Sequence, residues 1–428
     1  MSKHIAFLTL GCAKNEVDSA TMQEDLVRAG YDIVSLDEPA DAIVVNTCAF
    51  LQSAIEESID TIFDITSLES VETDKTKLVV AGCMPARFGV DLESELTEAD
   101  CFVPCAEERN IVSILDNLFG EPSPEPDFEV TFTYNPSEYV KISDGCSRRC
   151  AFCAIPLIRG PYHSFSYEEI EQDVCAKIAG GAKEIVLIAQ DSGIWGLDLH
   201  PRQNLAQLLD RLVPQFPDTW FRVMYLQPAG LTDELVTVMA RYDNICKYLD
   251  IPLQHCDPEI LASMNRKGSR EEFEAMVARL RERIPNITLR TTLIVGYPVE
   301  TDEQFEDLCD FIETVSFDYV GIFAYSAEEG TPAAELPNQI DEDTKQDRLQ
   351  TLRDIADSVS AHQIARRINE PMDILVLGHE EDGQLFGRAQ CQAPDVDGVT
   401  YLDSGTVGEI VSTTITDTLL YEMEATRE

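Results

Sequence analysis

Cys146, Cys150 and Cys153 stand in the run Asp144-Gly-Cys-Ser-Arg-Arg-Cys-Ala-Phe-Cys153, a Cys-x3-Cys-x2-Cys spacing. Three thiolates on one short loop can hold three irons of a [4Fe-4S] cluster. The fourth iron is then open to another ligand, whereas a purely electron-carrying cluster ordinarily has four cysteines. An open iron implies chemistry. Cysteine supplies 13 of the 428 residues, so chance would place Cys at both +4 and +7 of some cysteine only about one per cent of the time. Zinc would ask for a second cysteine knuckle and a tetrahedral fourth ligand, and no second knuckle lies nearby. A disulfide would leave one of the three thiols over.

A second set follows three strand-like runs: Cys12 in Leu10-Gly-Cys-Ala-Lys-Asn15, Cys48 in Val45-Asn-Thr-Cys-Ala-Phe50 and Cys83 in Ala81-Gly-Cys-Met-Pro85. In a parallel sheet the loops after successive strands gather at one edge, so residues far apart in sequence can converge there. Gly11 and Gly82 permit the tight backbone this needs. Three ordinary buried cysteines are the simpler alternative, weakened by all three falling at equivalent strand ends.

The elements that position these thiols follow from periodicity. Ile5–Leu10, Ala42–Asn46 and Leu78–Ala81 read as strands and Asn15–Ala29 and Ser53–Leu68 as helices, an alternation that predicts an α/β domain with a parallel sheet over residues 1–120. Glu121-Pro-Ser-Pro-Glu-Pro-Asp127 marks a proline-rich linker, taken as residues 121–131. Over 132–368 the strands Tyr139–Ile142, Glu184–Ile188, Trp220–Met224, Tyr248–Ile251, Leu289–Val295 and Tyr319–Phe323 alternate with helices such as Tyr167–Ile178 and Thr301–Thr314. Together they predict a partial β/α barrel, TIM-like, whose site lies at the C-terminal strand ends. A connecting helix covers 341–368. Residues 369–428 read as short strands with Gly-rich turns, at Met372–Leu377, Gln384–Arg388, Thr406–Val411 and Thr418–Glu422, hence a small antiparallel β-barrel.

Composition narrows the setting. No apolar run approaches a membrane span and the first residues lack a signal-peptide pattern, so a cytoplasmic protein with no membrane partner is expected. Thirteen cysteines fit a reducing compartment and metal ligation better than a disulfide framework. With 32 basic against 78 acidic residues the net charge is −46, which disfavours direct nucleic-acid binding, because that affinity depends on Lys and Arg displacing counterions.

The cysteine loop, with Phe152 before its last Cys, resembles the radical S-adenosylmethionine (SAM) superfamily. That resemblance implies that the open iron chelates the amino and carboxylate groups of SAM and that an electron from the cluster releases a 5′-deoxyadenosyl radical. The three-part layout, the Gly-Cys-x-Lys-Asn-x-Val-Asp-Ser run at 11–19 and Val-Asn-Thr-Cys at 45–48 look more specifically like the methylthiotransferases, over essentially the whole chain. These enzymes carry a TRAM barrel at the C-terminus. The resemblance implies that Cys12, Cys48 and Cys83 hold an auxiliary [4Fe-4S] cluster, also with an open iron, which carries the sulfur. One SAM methylates that sulfur, another supplies the radical, and a low-potential electron donor is required. No catalytic residue beyond the cluster ligands is implied. Gly180–Glu184 and Ile188–Asp191 lie where such barrels contact the methionine part of SAM, a turn and a core strand being the alternative. The SAM-binding candidates are Gln190 and Gly296, although Val299 departs from the glycine usual after Gly-x-Pro. Leu253-Gln-His255 is a cavity-lining candidate, a structural hydrogen-bonding histidine being the alternative; the other cysteines, Cys105 among them, are expected to be core or incidental.

One branch of this family modifies a tRNA adenosine; another modifies the β-carbon of an aspartate in the twelfth small-subunit ribosomal protein. Ser143–Cys150, Pro156-Leu-Ile-Arg-Gly160, Gly11–Asn15 and Ala393-Pro-Asp-Val-Asp-Gly398 resemble the second. Charge agrees: residues 369–428 hold 13 Asp and Glu against 2 Arg, a net −11, where a tRNA-gripping barrel should be basic. An acidic barrel suits a basic ribosomal protein. tRNA methylthiolation and a non-catalytic iron–sulfur electron carrier are the alternatives.

Overall fold

The computed structural model describes residues 2–73, 75–122 and 130–427. Most of the proline-rich linker expected at 121–131 lies outside the described residues. Two compact units emerge. The first comprises Met1–Phe132, Asp144–Tyr162 and Ser326–Ala334; the second comprises Thr133–Ser143, His163–Tyr325 and Glu335–Glu428.

In the first unit, strands β1 (His4–Thr9), β2 (Asp32–Val34), β3 (Ala42–Thr47), β4 (Lys77–Gly82) and β5 (Cys101–Pro104) form a parallel sheet in the order β2-β1-β3-β4-β5. Every residue of β3 is buried, as expected of the central strand of a sheet covered on both faces. Helices Ala13–Arg28 and Gln52–Thr66 supply covering layers. One core contains Ile43, Val45, Ile62 and Val80 and the other Ile5, Val44, Leu26 and Val79. β2 and β5 were not expected from sequence: β2 has three residues, and Cys101-Phe-Val-Pro104 ends in a residue that usually marks a strand's limit.

The second unit carries two three-stranded parallel sheets. One has Ser137–Lys141, Glu184–Ile188 and Trp220–Val223; the other has Tyr248–Asp250, Thr288–Val295 and Tyr319–Ala324. A parallel bridge between Phe221 and Ile245 links them. This is the six-stranded partial β/α barrel, and one apolar core runs through it from Val140 to Phe317. The helix Glu342–Ala365 follows.

The C-terminal strands close into a barrel in the order Pro371–His379, Leu385–Ala389, Thr400–Leu402, Glu422–Arg427 and Ile410–Leu419. All pairings are antiparallel except that of Thr400–Leu402 with Glu422–Arg427. Two expected strands need correcting. Residues 406–409 form a turn in which the Glu409 N–H donates to the Thr406 carbonyl, and the strand begins at Ile410 and continues to Leu419. Its alternation is masked because Thr413 points inward between buried Val411 and Ile415, and threonine reads as polar in a hydropathy pattern. The segment 418–422 is the end of that strand and the following turn, where Leu420 takes φ +52°.

Candidate functional site

The register of the N-terminal sheet decides where its cysteines stand. Thr9 pairs with Asn46 and Asn46 with Ala81. Cys48 and Cys83 therefore follow neighbouring strands at the same level, and Cys12 lies one residue further out. Gly11 and Gly82 take φ +99° and +92°, which side chains other than hydrogen tolerate poorly. A Cβ on Gly82 would meet Asn46 Oδ1 at 2.1 Å.

The loops are stitched together by Asn15, which is fully buried. Its Nδ2 donates to the carbonyls of Leu10 and Thr47, both at 2.9 Å, tying the ends of β1 and β3 together. The Ser58 hydroxyl receives the Cys48 N–H at 3.1 Å and donates to the Cys48 carbonyl at 3.0 Å. Cys12 precedes helix Ala13–Arg28 and Cys83 opens helix Cys83–Glu95.

The environments of the thiols differ. Burial pushes the Cys48 thiol up to about 11. The Cys83 thiol is drawn down to about 7, chiefly by the hydrogen bond with Cys105, with the Arg159 guanidinium assisting against burial. Cys105, expected from sequence to be core or incidental, packs against the core and stands beside Cys83. Arg159 was not singled out either, yet it converges on the same place. Its Nη2 lies 2.8 Å from Asp18 Oδ2 and 2.9 Å from Asn15 Oδ1, and it reaches Cys83 Sγ at 4.0 Å. Its Nη1 lies 3.4 Å from Asp144 Oδ2.

The Cys146–Cys153 loop belongs to the same compact unit. Gly145 takes φ +70°, and a Cβ there would meet the Pro161 carbonyl oxygen at 2.3 Å. The Cys146 N–H donates to the Gly160 carbonyl, the Cys153 N–H to the Cys150 carbonyl, and the Ala333 N–H to the Ala151 carbonyl. Cys146 is buried, while Cys150 and Cys153 are partly exposed. These backbone hydrogen bonds fix the fold of the loop.

Among the described residues, no three His, Cys, Asp or Glu side chains close on one point as a single ion requires, and the cysteines form no disulfides. A lone tetrahedral ion needs its sulfurs within about 4 Å of one another. A four-iron cube takes each thiolate on a different iron, so it accepts sulfurs spread more widely. Two sets of three thiols, each on adjoining or single loops, fit that donor chemistry.

The two SAM candidates sit in the second unit just past strand ends. Gln190 follows Glu184–Ile188 and is partly exposed; Gly296 follows Thr288–Val295 and is buried. The Gly296 N–H is already received by the Glu300 carboxylate at 3.1 Å, and a Cβ there would meet Lys345 Cγ at 2.5 Å. A packing reason for this glycine therefore exists. His255 is buried and held neutral, its ring pushed down to about 4 by burial. Its Nδ1 receives the Asp257 N–H, the role of a structural histidine. Gly180–Glu184 lies at the N-terminal end of its strand, the end opposite to that which builds barrel sites. Glu184 there pairs with Arg222 and with Arg388 of the C-terminal barrel, at 2.8 and 2.7 Å. The expectation that this run contacts SAM is corrected accordingly.

Comparison with known proteins gives three family matches: the Radical SAM superfamily over residues 140–312, uncharacterized protein family UPF0004 over 4–104 and the TRAM domain over 369–427. Among solved structures, the radical S-adenosylmethionine methyltransferase TsrM from Kitasatospora setae, with cobalamin and a [4Fe-4S] cluster bound, aligns with a TM-score of 0.56 at 14% identity. It covers 78% of this chain and 77% of that one. That likeness establishes the fold. The ribosomal protein uS12 methylthiotransferase RimO of Clostridioides difficile is 40% identical over 433 residues, 98% of this chain and 97% of the relative. Its counterpart from Bdellovibrio bacteriovorus is also 40% identical, over 99% and 97% of the two chains. With two fifths of its residues shared over nearly the full length of such relatives, this chain belongs to the family of RimO-type ribosomal protein uS12 methylthiotransferases, within the radical SAM superfamily.

Proposed function

We propose that the protein adds a methylthio group to the β-carbon of an aspartate in ribosomal protein uS12. The observation that carries this reading is the gathering of Cys12, Cys48 and Cys83 by the β1, β3 and β4 register, in the compact unit that also holds Cys146, Cys150 and Cys153. A radical enzyme that only cleaved SAM would have no use for the first set. In this reading the sequence segments 1–120, 132–368 and 369–428 are an auxiliary-cluster domain, a radical SAM core and a TRAM barrel, with 144–162 and 326–334 of the core packed into the N-terminal compact unit.

In this reading Cys146, Cys150 and Cys153 hold one [4Fe-4S] cluster and Cys12, Cys48 and Cys83 a second. When bound, the clusters and SAM supply the radical that removes hydrogen from the aspartate β-carbon and the sulfur that replaces it. The chain's own residues position these groups. Asn15 and Ser58 fix the backbone that carries the auxiliary thiols. Gly145 and Gly160 fold the radical loop back on itself. Gln190 and Gly296, each just past a barrel strand end, are the residues this reading assigns to SAM. No side-chain acid or base is assigned to the hydrogen abstraction, which a radical performs.

The choice of uS12 over tRNA rests also on charge: the net −11 of residues 369–428 repels a phosphate backbone and attracts a basic ribosomal protein. A low-potential electron donor and a cytoplasmic setting belong to the same proposal; among the described residues no helix is long and apolar enough to cross a membrane. Mass analysis of uS12 and tRNA from cells with and without the protein tests it. Loss of one methylthio group from the uS12 aspartate is expected. An unmodified tRNA adenosine beside an unchanged uS12 would assign the tRNA activity instead, and reconstituted protein unable to cleave SAM would leave an electron carrier.

A further inference from the structure

Arg159 is a buried cation that reaches one of the auxiliary thiols, Cys83 Sγ, at 4.0 Å. Its side chain and that of Asp18 are only 3% and 4% exposed, so their pairing is screened little by water. The guanidinium is also planar and multidentate, and each edge is used. Nη2 serves Asp18 Oδ2, Asn15 Oδ1 and Cys83 Sγ, while Nη1 serves Asp144, two residues before Cys146. One side chain therefore joins the strand-end loops that carry Cys12 and Cys83 to the start of the radical loop. Burying an arginine between two carboxylates is costly unless its charge is used.

We infer that Arg159 is a positioning residue that sets the charge balance of the auxiliary site through its contact with Cys83 and its pairing with Asp18. The inference rests on the assignment of Cys12, Cys48 and Cys83 as cluster ligands. Hydrogen bonds to ligating sulfur and nearby net charge are the chief protein controls on the potential of an iron–sulfur cluster. A guanidinium at Cys83 favours the reduced, more negative state. Asp18 opposes it by neutralising that guanidinium. The two residues consequently act with opposite sign on one measurable quantity, which general damage to the fold would not do.

The test uses full-length protein reconstituted with iron and sulfide, carrying Cys146→Ala, Cys150→Ala and Cys153→Ala so that only auxiliary iron remains, about four per chain. Potentiometric titration followed by electron paramagnetic resonance reads the potential. Arg159→Gln is expected to lower it, Asp18→Asn to raise it, and Arg159→Lys, which keeps the charge without the fork, to fall between wild type and Arg159→Gln. If the triple-alanine background binds no iron, the auxiliary-cluster assignment itself fails. If it binds iron and Arg159→Gln and Asp18→Asn leave the potential unmoved, or shift it in the same direction, the role given to Arg159 is wrong. Should Arg159→Gln fail to fold, the Asp18→Asn rise and the Arg159→Lys shift decide the matter alone.

Discussion

Gly11 is packed so closely on Cys48 that a Cβ at position 11 would stand 2.8 Å from Cys48 Cβ and 3.1 Å from its Sγ. The glycine also takes φ +99°, so Gly11→Ala meets two obstacles at once. The backbone term costs roughly 1–3 kcal/mol, and the steric term pushes the Cys48 side chain away from its neighbours. The expected outcome is a folded protein with a lowered melting temperature that reconstitutes to about four irons instead of eight. Iron analysis beside thermal unfolding checks it; eight irons in Gly11→Ala would mean that the position of Cys48 is not critical.

The two cysteine sets should be separable by iron content. Wild type is expected to hold about eight irons and a Cys12→Ala, Cys48→Ala, Cys83→Ala variant about four. That variant retains SAM cleavage and loses methylthio transfer. Replacing Cys146, Cys150 and Cys153 abolishes cleavage while leaving about four irons. Full iron in the first variant would remove its thiols from the ligand set.

The positions of these cysteines, three past strand ends and three on one loop, were legible in the sequence because cysteine spacing and strand ends are local features. So were the six barrel strands: Glu184–Ile188 has the same bounds in sequence and structure, since a run of five apolar or paired residues buried on both faces has few other uses. What escaped was long-range. Arg159 lies 141 residues from Asp18 in the chain and nothing around it announces a buried ion pair. Cys105 meets Cys83 only because β5 pairs with β4. Glu184 read as the first residue of a strand, and its two arginine partners come from Trp220–Val223 and from the C-terminal barrel. The threonine-rich strand Ile410–Leu419 was misplaced because its inward positions are not uniformly apolar.

Glu184 offers a stability prediction with a pH signature. It is buried and accepts from Ser137, Arg222 and Arg388. Burial alone would raise its carboxyl, yet Arg388 and Arg222 hold it down at about 2. A folded value below the unfolded one means that the carboxylate stabilises the fold above about pH 4.5. That contribution is lost as pH falls through about 2. Glu184→Gln leaves two buried guanidinium groups short of a counter-charge and should cost roughly 3–5 kcal/mol at pH 7. Urea unfolding at pH 7 and pH 3 checks it: the gap between wild type and variant should shrink at the lower pH. An equal gap at both would show that the carboxylate's charge is not what holds the arginines.

The acidic turn of the C-terminal barrel provides a test of how the substrate is captured. Glu380, Glu381 and Asp382 are exposed, at the end of Pro371–His379 and before Leu385–Ala389. They add to a net −11 over residues 369–428. Three exposed like charges on one turn do little for stability but act at range on a basic partner, within a Debye length of about 8 Å at physiological salt. Replacing all three with lysine changes the local charge by six units, since each site goes from −1 to +1. The expected result is a rise of about tenfold in the KM for uS12 at low ionic strength. Little change in kcat and an unchanged melting temperature should accompany it. Raising the salt should weaken wild type more than the variant until the two converge. The same substitutions should leave SAM cleavage without uS12 untouched, because they lie outside the cysteine sets. A KM that stayed constant at every salt concentration would place substrate capture elsewhere and reduce the barrel's acidity to a contribution to solubility.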